Sequence, residues 1–178
     1  MTGVQTCALP ISNSIVYPLT RTLYGKRVRQ PIGGDFGFSG EMARFYLSKE
    51  VWETDVARFG IDIWMTTLAI YQGIPICQSF VGRPKIYQQN EHIVPSSPVF
   101  PQVVGTLLDL MILFQDFWER VKWSKPTAIY GFGMGEVETP APTEISQDEL
   151  HQTFVQGFAQ YQDLWETFLP NNINNKLG

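Results

Sequence analysis

The chain is poor in cysteine, with two in 178 residues. One of them, Cys7, lies in an N-terminal run that fits no structural element, which leaves Cys77 alone. A single cysteine excludes a disulfide framework and a zinc cluster. In a strand it reads as a small core residue, consistent with a reducing cytoplasm. Positive charge is also in short supply: 13 Lys and Arg stand against 17 Asp and Glu, a formal net charge of -4. No broad basic surface for nucleic acid is expected. Long apolar runs are missing too. The longest, around Leu110 to Phe114, is interrupted by Asp109, Gln115 and Asp116, far short of the roughly 20 residues that span a bilayer. No transmembrane segment is expected, and the expected location is the cytoplasm. There is no Walker loop, no zinc motif, no Gly-x-Ser-x-Gly elbow and no strand-linked G-x-G-x-x-G.

What is present is the composition of a globular core, 44% hydrophobic and 13% aromatic, in about one domain's worth of chain. The opening run MTGVQTCALPIS has no charge and neither a period of two nor one of 3.6. It lacks the positive n-region of a secretory signal. Translated backwards, it resembles a widely used sequencing-library adapter read from a GTG start. Residues 1–12 are therefore expected to be non-native, with the natural chain starting near Asn13 and an unknown length lost upstream.

Along the remainder, Ile15 to Tyr24 reads as the end of a helix closed by Gly25. A short strand around Arg27 to Gln30 runs into PIGGDFGFSG, a tight glycine loop. Ser39 is placed to cap a helix over Gly40 to Leu47. Ile61, Trp64, Met65, Leu68 and Tyr71 have helical spacing, and Gly73 ends that helix. IPICQSFVG alternates like a strand, and GRPKIYQQNEHIVPSSPVFP reads as a long polar loop. A helix over Pro101 to Val121 is predicted with Val104, Leu107, Leu108, Met111, Phe114 and Trp118 on its apolar face. A stretch rich in Gly, Pro and Thr, Pro126 to Thr143, precedes a last helix. Ser146 and Glu149 give that helix a capping-box spacing, and Leu150, Phe154, Phe158, Tyr161 and Trp165 give it an apolar stripe. The stripe is suited either to packing on the core or to pairing in a homodimer. The tail NNINNKLG reads as frayed. This order predicts a mixed α/β chain.

The stretch QPIGGDFGFSGEMARFYL...VWETDVARFGIDIWMTTLAI...GIPICQSFVGRPKIY resembles the C-terminal half of the catalytic domain of nucleotide-sugar glycosyltransferases of the GT-A fold. The likeness is to family-2-like enzymes related to glucosyl-3-phosphoglycerate and mannosylglycerate synthases. Three pieces carry it: the Gly33-Gly34-Asp35 loop, the helix start Phe59, Gly60 and Asp62, and a strand ending in Gly-x-basic-x-His, here Gly82 to Lys85 with Tyr87 in the place of the histidine. The resemblance implies that residues 13–125 are the C-terminal part of a GT-A domain and 126–178 a linker and helical segment. It also implies a prokaryotic hexosyltransferase, with a nucleoside-diphosphate sugar as donor and a small acceptor, anionic or neutral.

In that reading Asp62 lies beside the donor sugar, accepting hydrogen bonds from its hydroxyls. In an inverting enzyme it is a candidate general base. The alternative is a helix N-terminal acid stabilised by the macrodipole. Gly33, Gly34 and Asp35 either let backbone approach the substrate or form a plain turn. Phe59 and Gly60 are carried over as substrate-binding, and Arg83 and Lys85 as contacts to a diphosphate or an anionic acceptor. Glu41, Glu53 and Asp55 read as solvated charges.

The chemistry calls for a divalent cation, Mg²⁺ or Mn²⁺, on the leaving diphosphate. In the relatives its Asp-x-Asp motif lies upstream of this segment, and Asp55 and Asp62 are too far apart in sequence to replace it. Tyr87 stands where the relatives have a metal-ligating histidine, and a neutral phenol is a poor ligand for these ions. His92, five residues on, is the other imidazole in reach. The piece present here is expected to show no turnover by itself. The rival expectation, from Tyr87, is a non-catalytic sugar-nucleotide-binding or scaffold protein of the same fold.

Overall fold

A computed structural model describes residues 11–79, 98–131 and 147–177. The chain separates into two compact units, Met1–Val137 and Glu138–Gly178. Within the first, a π-helical turn, Ser12–Val16, runs into α1 (Tyr17–Tyr24), with Pro18 near its start. Proline suits a first turn because its missing N–H would have no partner there. Gly25 ends α1 at φ 65°, a left-handed conformation that favours glycine. A side chain would also fail there for want of room, since a Cβ would come within 2.8 Å of the Trp123 carbonyl oxygen and of Val121 Cγ1. That contact brings Lys125 N–H to the Gly25 carbonyl at 2.8 Å, and β1 (Lys26–Arg27) pairs in parallel with β3 (Lys125–Pro126).

Helix α2 (Gly40–Leu47) is capped as expected: Ser39 Oγ accepts from the Met42 N–H at 3.1 Å. A short 3-10 turn, Asp55–Ala57, leads to α3 (Ile61–Tyr71), which stops before Gly73 at φ 69°. The predicted stripe on α3 is too narrow. Ile63, Trp64 and Thr66 through Ile70 are all buried, whereas Ile61 and Met65 are half-buried and Tyr71 is exposed. The reason is position, because α1, the 3-10 turn and the next long helix all pack against α3. A helix surrounded in this way buries most of its circumference.

That next helix differs from the single one predicted over Pro101 to Val121. It runs as α4 (Val99–Leu113), breaks at Phe114 with φ -108° and ψ 31°, and resumes as α5 (Gln115–Trp118). Its buried face holds Val99, Gln102, Val103, Thr106, Leu107 and Leu110. Of the predicted face only Leu107 is buried, and Leu108 is exposed. The face is turned because two polar side chains have inward-facing partners: Gln102 Oε1 accepts from the Phe59 N–H, and Thr106 fills the space beside Gly60. Hydropathy alone could not have placed them inside.

Strand β2 (Cys77–Ser79) pairs in parallel with β4 (Ala128–Tyr130). Strand β4 and the Pro126 end of β3 fall in a segment, from residue 126 on, that reads as linker in the sequence. Cys77 is exposed, contrary to the expected core position. The inward-facing residue of β2 is Gln78, whose amide bridges β1: Arg29 N–H donates to Gln78 Oε1, and Gln78 Nε2 donates to the Arg27 carbonyl. Thr127 Oγ1 donates to the same carbonyl at 2.8 Å. The result is mixed helix and sheet with two small parallel pairings.

Two apolar clusters form the core of this unit. One gathers Val16, Tyr24, Ile63, Ile70, Val103 and Leu107, and the other Met42, Tyr46, Trp64, Leu68 and Leu110; Phe114 and Ile76 pack against both. Ile11 and Ser12, the two described residues of the opening run, are buried, and Ser12 Oγ donates to Gln30 Oε1 at 3.0 Å.

In the second unit, α6 (Gln147–Phe168) is followed by α7 (Asn171–Leu177), so the tail expected to fray is helical over Asn171–Leu177. The Pro170 carbonyl accepts the Ile173 N–H and starts it. Along α6, Phe158 touches Phe154 and Trp165, with ring centroids 6.2 and 5.6 Å apart. Leu150, Phe154 and Tyr161 of the predicted stripe are exposed. Ser146 and the Glu149 side chain lie outside the described residues.

Candidate functional site

The glycine loop after β1 is fixed from beneath. Ile32 belongs to the core, and the buried Pro31 carbonyl accepts from Thr66 Oγ1 at 2.9 Å. That bond ties the loop to α3 one turn beyond Asp62. The chain then turns outward through Gly33, half-buried, and Gly34, exposed at φ 75°. This φ is one that only glycine adopts at little cost. It aims the Gly34 N–H at Asp62 Oδ2, 3.1 Å away. Two pieces of sequence 28 residues apart thus meet in one hydrogen bond.

The second piece is held just as firmly. Gly60 sits in the turn before α3, its N–H donating to the Asp55 carbonyl at 3.0 Å. A Cβ on Gly60 would run into Thr106 Oγ1 and come within 2.8 Å of the Asp55 carbonyl oxygen. Glycine here is a packing requirement, letting α4 approach the start of α3. The neighbouring Phe59 N–H donates to Gln102 Oε1 at 3.3 Å. Gln102 is the positioning residue that the sequence did not disclose. Its only signal was a polar side chain in helical register with Val99, Val103 and Thr106.

Asp62 stands in the first turn of α3, half-buried. Burial pushes its pKa above the ordinary carboxylate value; the Gly34 N–H opposes this, and the negative charge of nearby Asp35 adds to it. A helix N-terminus and a donated N–H both favour a carboxylate. Desolvation and a like charge override them. Such a group is poised to exchange hydrogen bonds or a proton with a ligand that completes its surroundings.

The structure therefore brings Gly33, Gly34, Asp35 and Asp62 together and seats Phe59 and Gly60 immediately behind them. Glu41, Glu53 and Asp55 are exposed. Arg83, Lys85, Tyr87 and His92 lie outside the described residues. Among the described residues no group of three or more His, Cys, Asp and Glu could hold a metal ion. Asp62 and Asp35 make at most a pair, one carboxylate of which is already engaged by a backbone N–H. The described residues do not by themselves form a divalent-cation site. No helix among them is long and apolar enough to cross a membrane.

Comparison with models of protein families, with curated proteins and with solved structures finds no match to this chain.

Proposed function

We propose that the chain is part of a GT-A-fold glycosyltransferase that moves a hexose from a nucleoside-diphosphate sugar to a small acceptor. The observation that carries this reading is the bond from Gly34 N–H to Asp62. The loop and the helix start are separate features of the sequence, and a sugar-binding edge needs both at one place: a carboxylate for hydroxyl donors and an exposed backbone turn that a ligand can approach closely. Gly34 and Asp35 are exposed while Asp62 is half-buried, so a hexose lying on the loop would reach the carboxylate with its hydroxyls. Binding there would desolvate Asp62 further and replace water with directed donors. A carboxylate so placed also favours positive charge developing at the anomeric carbon.

The test uses the chain extended by its upstream reading frame, where an Asp-x-Asp motif is expected after an apolar strand. A nucleotide sugar with manganese should raise its melting temperature, a ligand at a hundred times its Kd adding about 2.7 kcal/mol. Asp62→Ala should lower transfer by about a hundredfold, whereas Glu53→Ala, altering an exposed charge, should leave it within about twofold. Equal losses would reduce Asp62 to a structural acid. The second reading, a non-catalytic sugar-nucleotide-binding protein, is favoured by Tyr87 in the place of a metal-ligating histidine. It requires donor-dependent stabilisation with no transfer to any acceptor.

A further inference from the structure

A cleft of about 290 Å³ lies at the other end of α3 from Asp62, walled by the Gly25 turn, Ile70 and the segment from Phe117 to Lys125. Ile70 is eight residues beyond Asp62, roughly 12 Å along a helix axis, so the two places are distinct. The cleft is lined by Lys26, Arg120, Lys122 and Lys125, and among the described residues no carboxylate lines it. Just beside it, Arg21 Nε and Arg27 Nε both donate to Ser124 Oγ, at 3.3 and 3.2 Å. Six of the chain's 13 Lys and Arg thus collect around one depression of a protein whose net charge is -4. The nearest acids along the chain are Asp116 and Glu119, and the Glu119 carboxylate accepts from Gln115 Nε2 at 2.8 Å. Cations brought together in this way repel one another, which an anion would relieve.

The floor of the cleft is apolar: Tyr24 and Phe117, with ring centroids 6.3 Å apart, line it, and the Tyr24 hydroxyl is buried out of reach of solvent. The Trp123 indole, 77% exposed, stands at the rim.

We propose that this cleft binds a small phosphorylated molecule, its phosphate held by Lys26, Arg120, Lys122 and Lys125, and its organic part lying against Trp123. A phosphate oxygen accepts from ammonium and guanidinium alike. The volume suits a small ligand and is at the low end for such sites. An extended polyanion, nucleic acid or an anionic membrane, would also meet the acidic remainder of the molecule. The proposal does not rest on the sugar-transfer reading.

Isothermal titration calorimetry of the full chain with adenosine monophosphate and with inorganic phosphate tests it. Saturable one-to-one binding is expected for both, tighter for the monophosphate and weakened by added salt. Tyr24→Phe, which removes a hydroxyl sealed from the cleft, should leave both affinities unchanged. The double variant Arg120→Ala with Lys122→Ala, at exposed positions that leave the fold intact, should weaken both about a hundredfold. Trp123→Ala should weaken only the monophosphate. Asp62→Ala should leave the affinity for both probes unchanged; a tenfold loss there would place the probes at the glycine loop and overturn the proposal. Absence of saturable heat, or affinity unchanged in the double variant, would overturn it as well. So would binding confined to phosphatidylglycerol vesicles or to single-stranded RNA.

Discussion

Asp62 shows how a single residue can carry two opposed influences, a favourable backbone donor and helix terminus against burial and a neighbouring carboxylate. Because burial is the largest cause and raises the pKa, the folded chain holds the Asp62 proton more tightly than the unfolded chain does. Linkage then makes this group's contribution to stability fall as pH rises from the ordinary carboxylate value, 3.8, through its raised native value. Above that window the contribution is flat. Asp62→Asn removes the titration and keeps an amide oxygen for the Gly34 N–H. The variant should therefore gain stability relative to the parent across that window and hold the gain at neutral pH. Urea unfolding at a series of pH values measures it; a parent and a variant with parallel profiles would show that the carboxylate is solvated in the folded state. The resemblance named Asp62 and the Gly33, Gly34 and Asp35 loop as separate pieces, and the fold sets them side by side. The sequence could not disclose Gln102, because a glutamine on an apolar helix has meaning only once its partner N–H is in place.

Elements meet most closely where α3 begins. Gly60→Ala must push α4 away or displace the Asp55 carbonyl, overpacking that typically costs about 1–3 kcal/mol. Gly105 lies in the interior of α4, where an added Cβ would meet no atom within 4 Å, so Gly105→Ala should stabilise by about 0.5–1 kcal/mol. Chemical denaturation of the two variants should give opposite signs; a stabilised Gly60→Ala would mean that α3 and α4 are not in contact there. At α2, Ser39→Ala deprives the Met42 N–H of its acceptor and should cost about 1 kcal/mol, read as a lower melting temperature. The α2 cap was visible in sequence because capping is local chemistry. The turned face of α4 and its break at Phe114 were not, because they depend on what α3 and the 3-10 turn present to it. Phe114 stacks on Tyr71 at 4.1 Å between ring centroids and packs against both clusters, a role set by distant partners.

At the scale of the molecule, helices supply most of the described residues, yet the contacts that close the first unit are non-local. Lys26 pairs with Lys125 and Gln78 with Ile129, both in parallel. Pairings separated by this much chain demand loop closure before they return any energy, which slows folding. Refolding followed by tryptophan fluorescence should accordingly occupy milliseconds to seconds, as in mixed α/β domains, rather than the microseconds of helical bundles. Full recovery of the signal within microseconds would place the parallel pairs outside the folding barrier. By itself the sequence determined the helix starts and stops at Gly25, Ser39 and Gly73 and the glycine loop, because each follows from local stereochemistry or from a run of neighbours. Tertiary structure alone decided that Lys125–Pro126 and Ala128–Tyr130 are strands, that Cys77 is exposed, which face of α4 is buried, and that Gly34 meets Asp62 while Lys26, Arg120, Lys122 and Lys125 line one cleft. Those outcomes depend on partners tens of residues away, whose positions exist only when the whole core has closed.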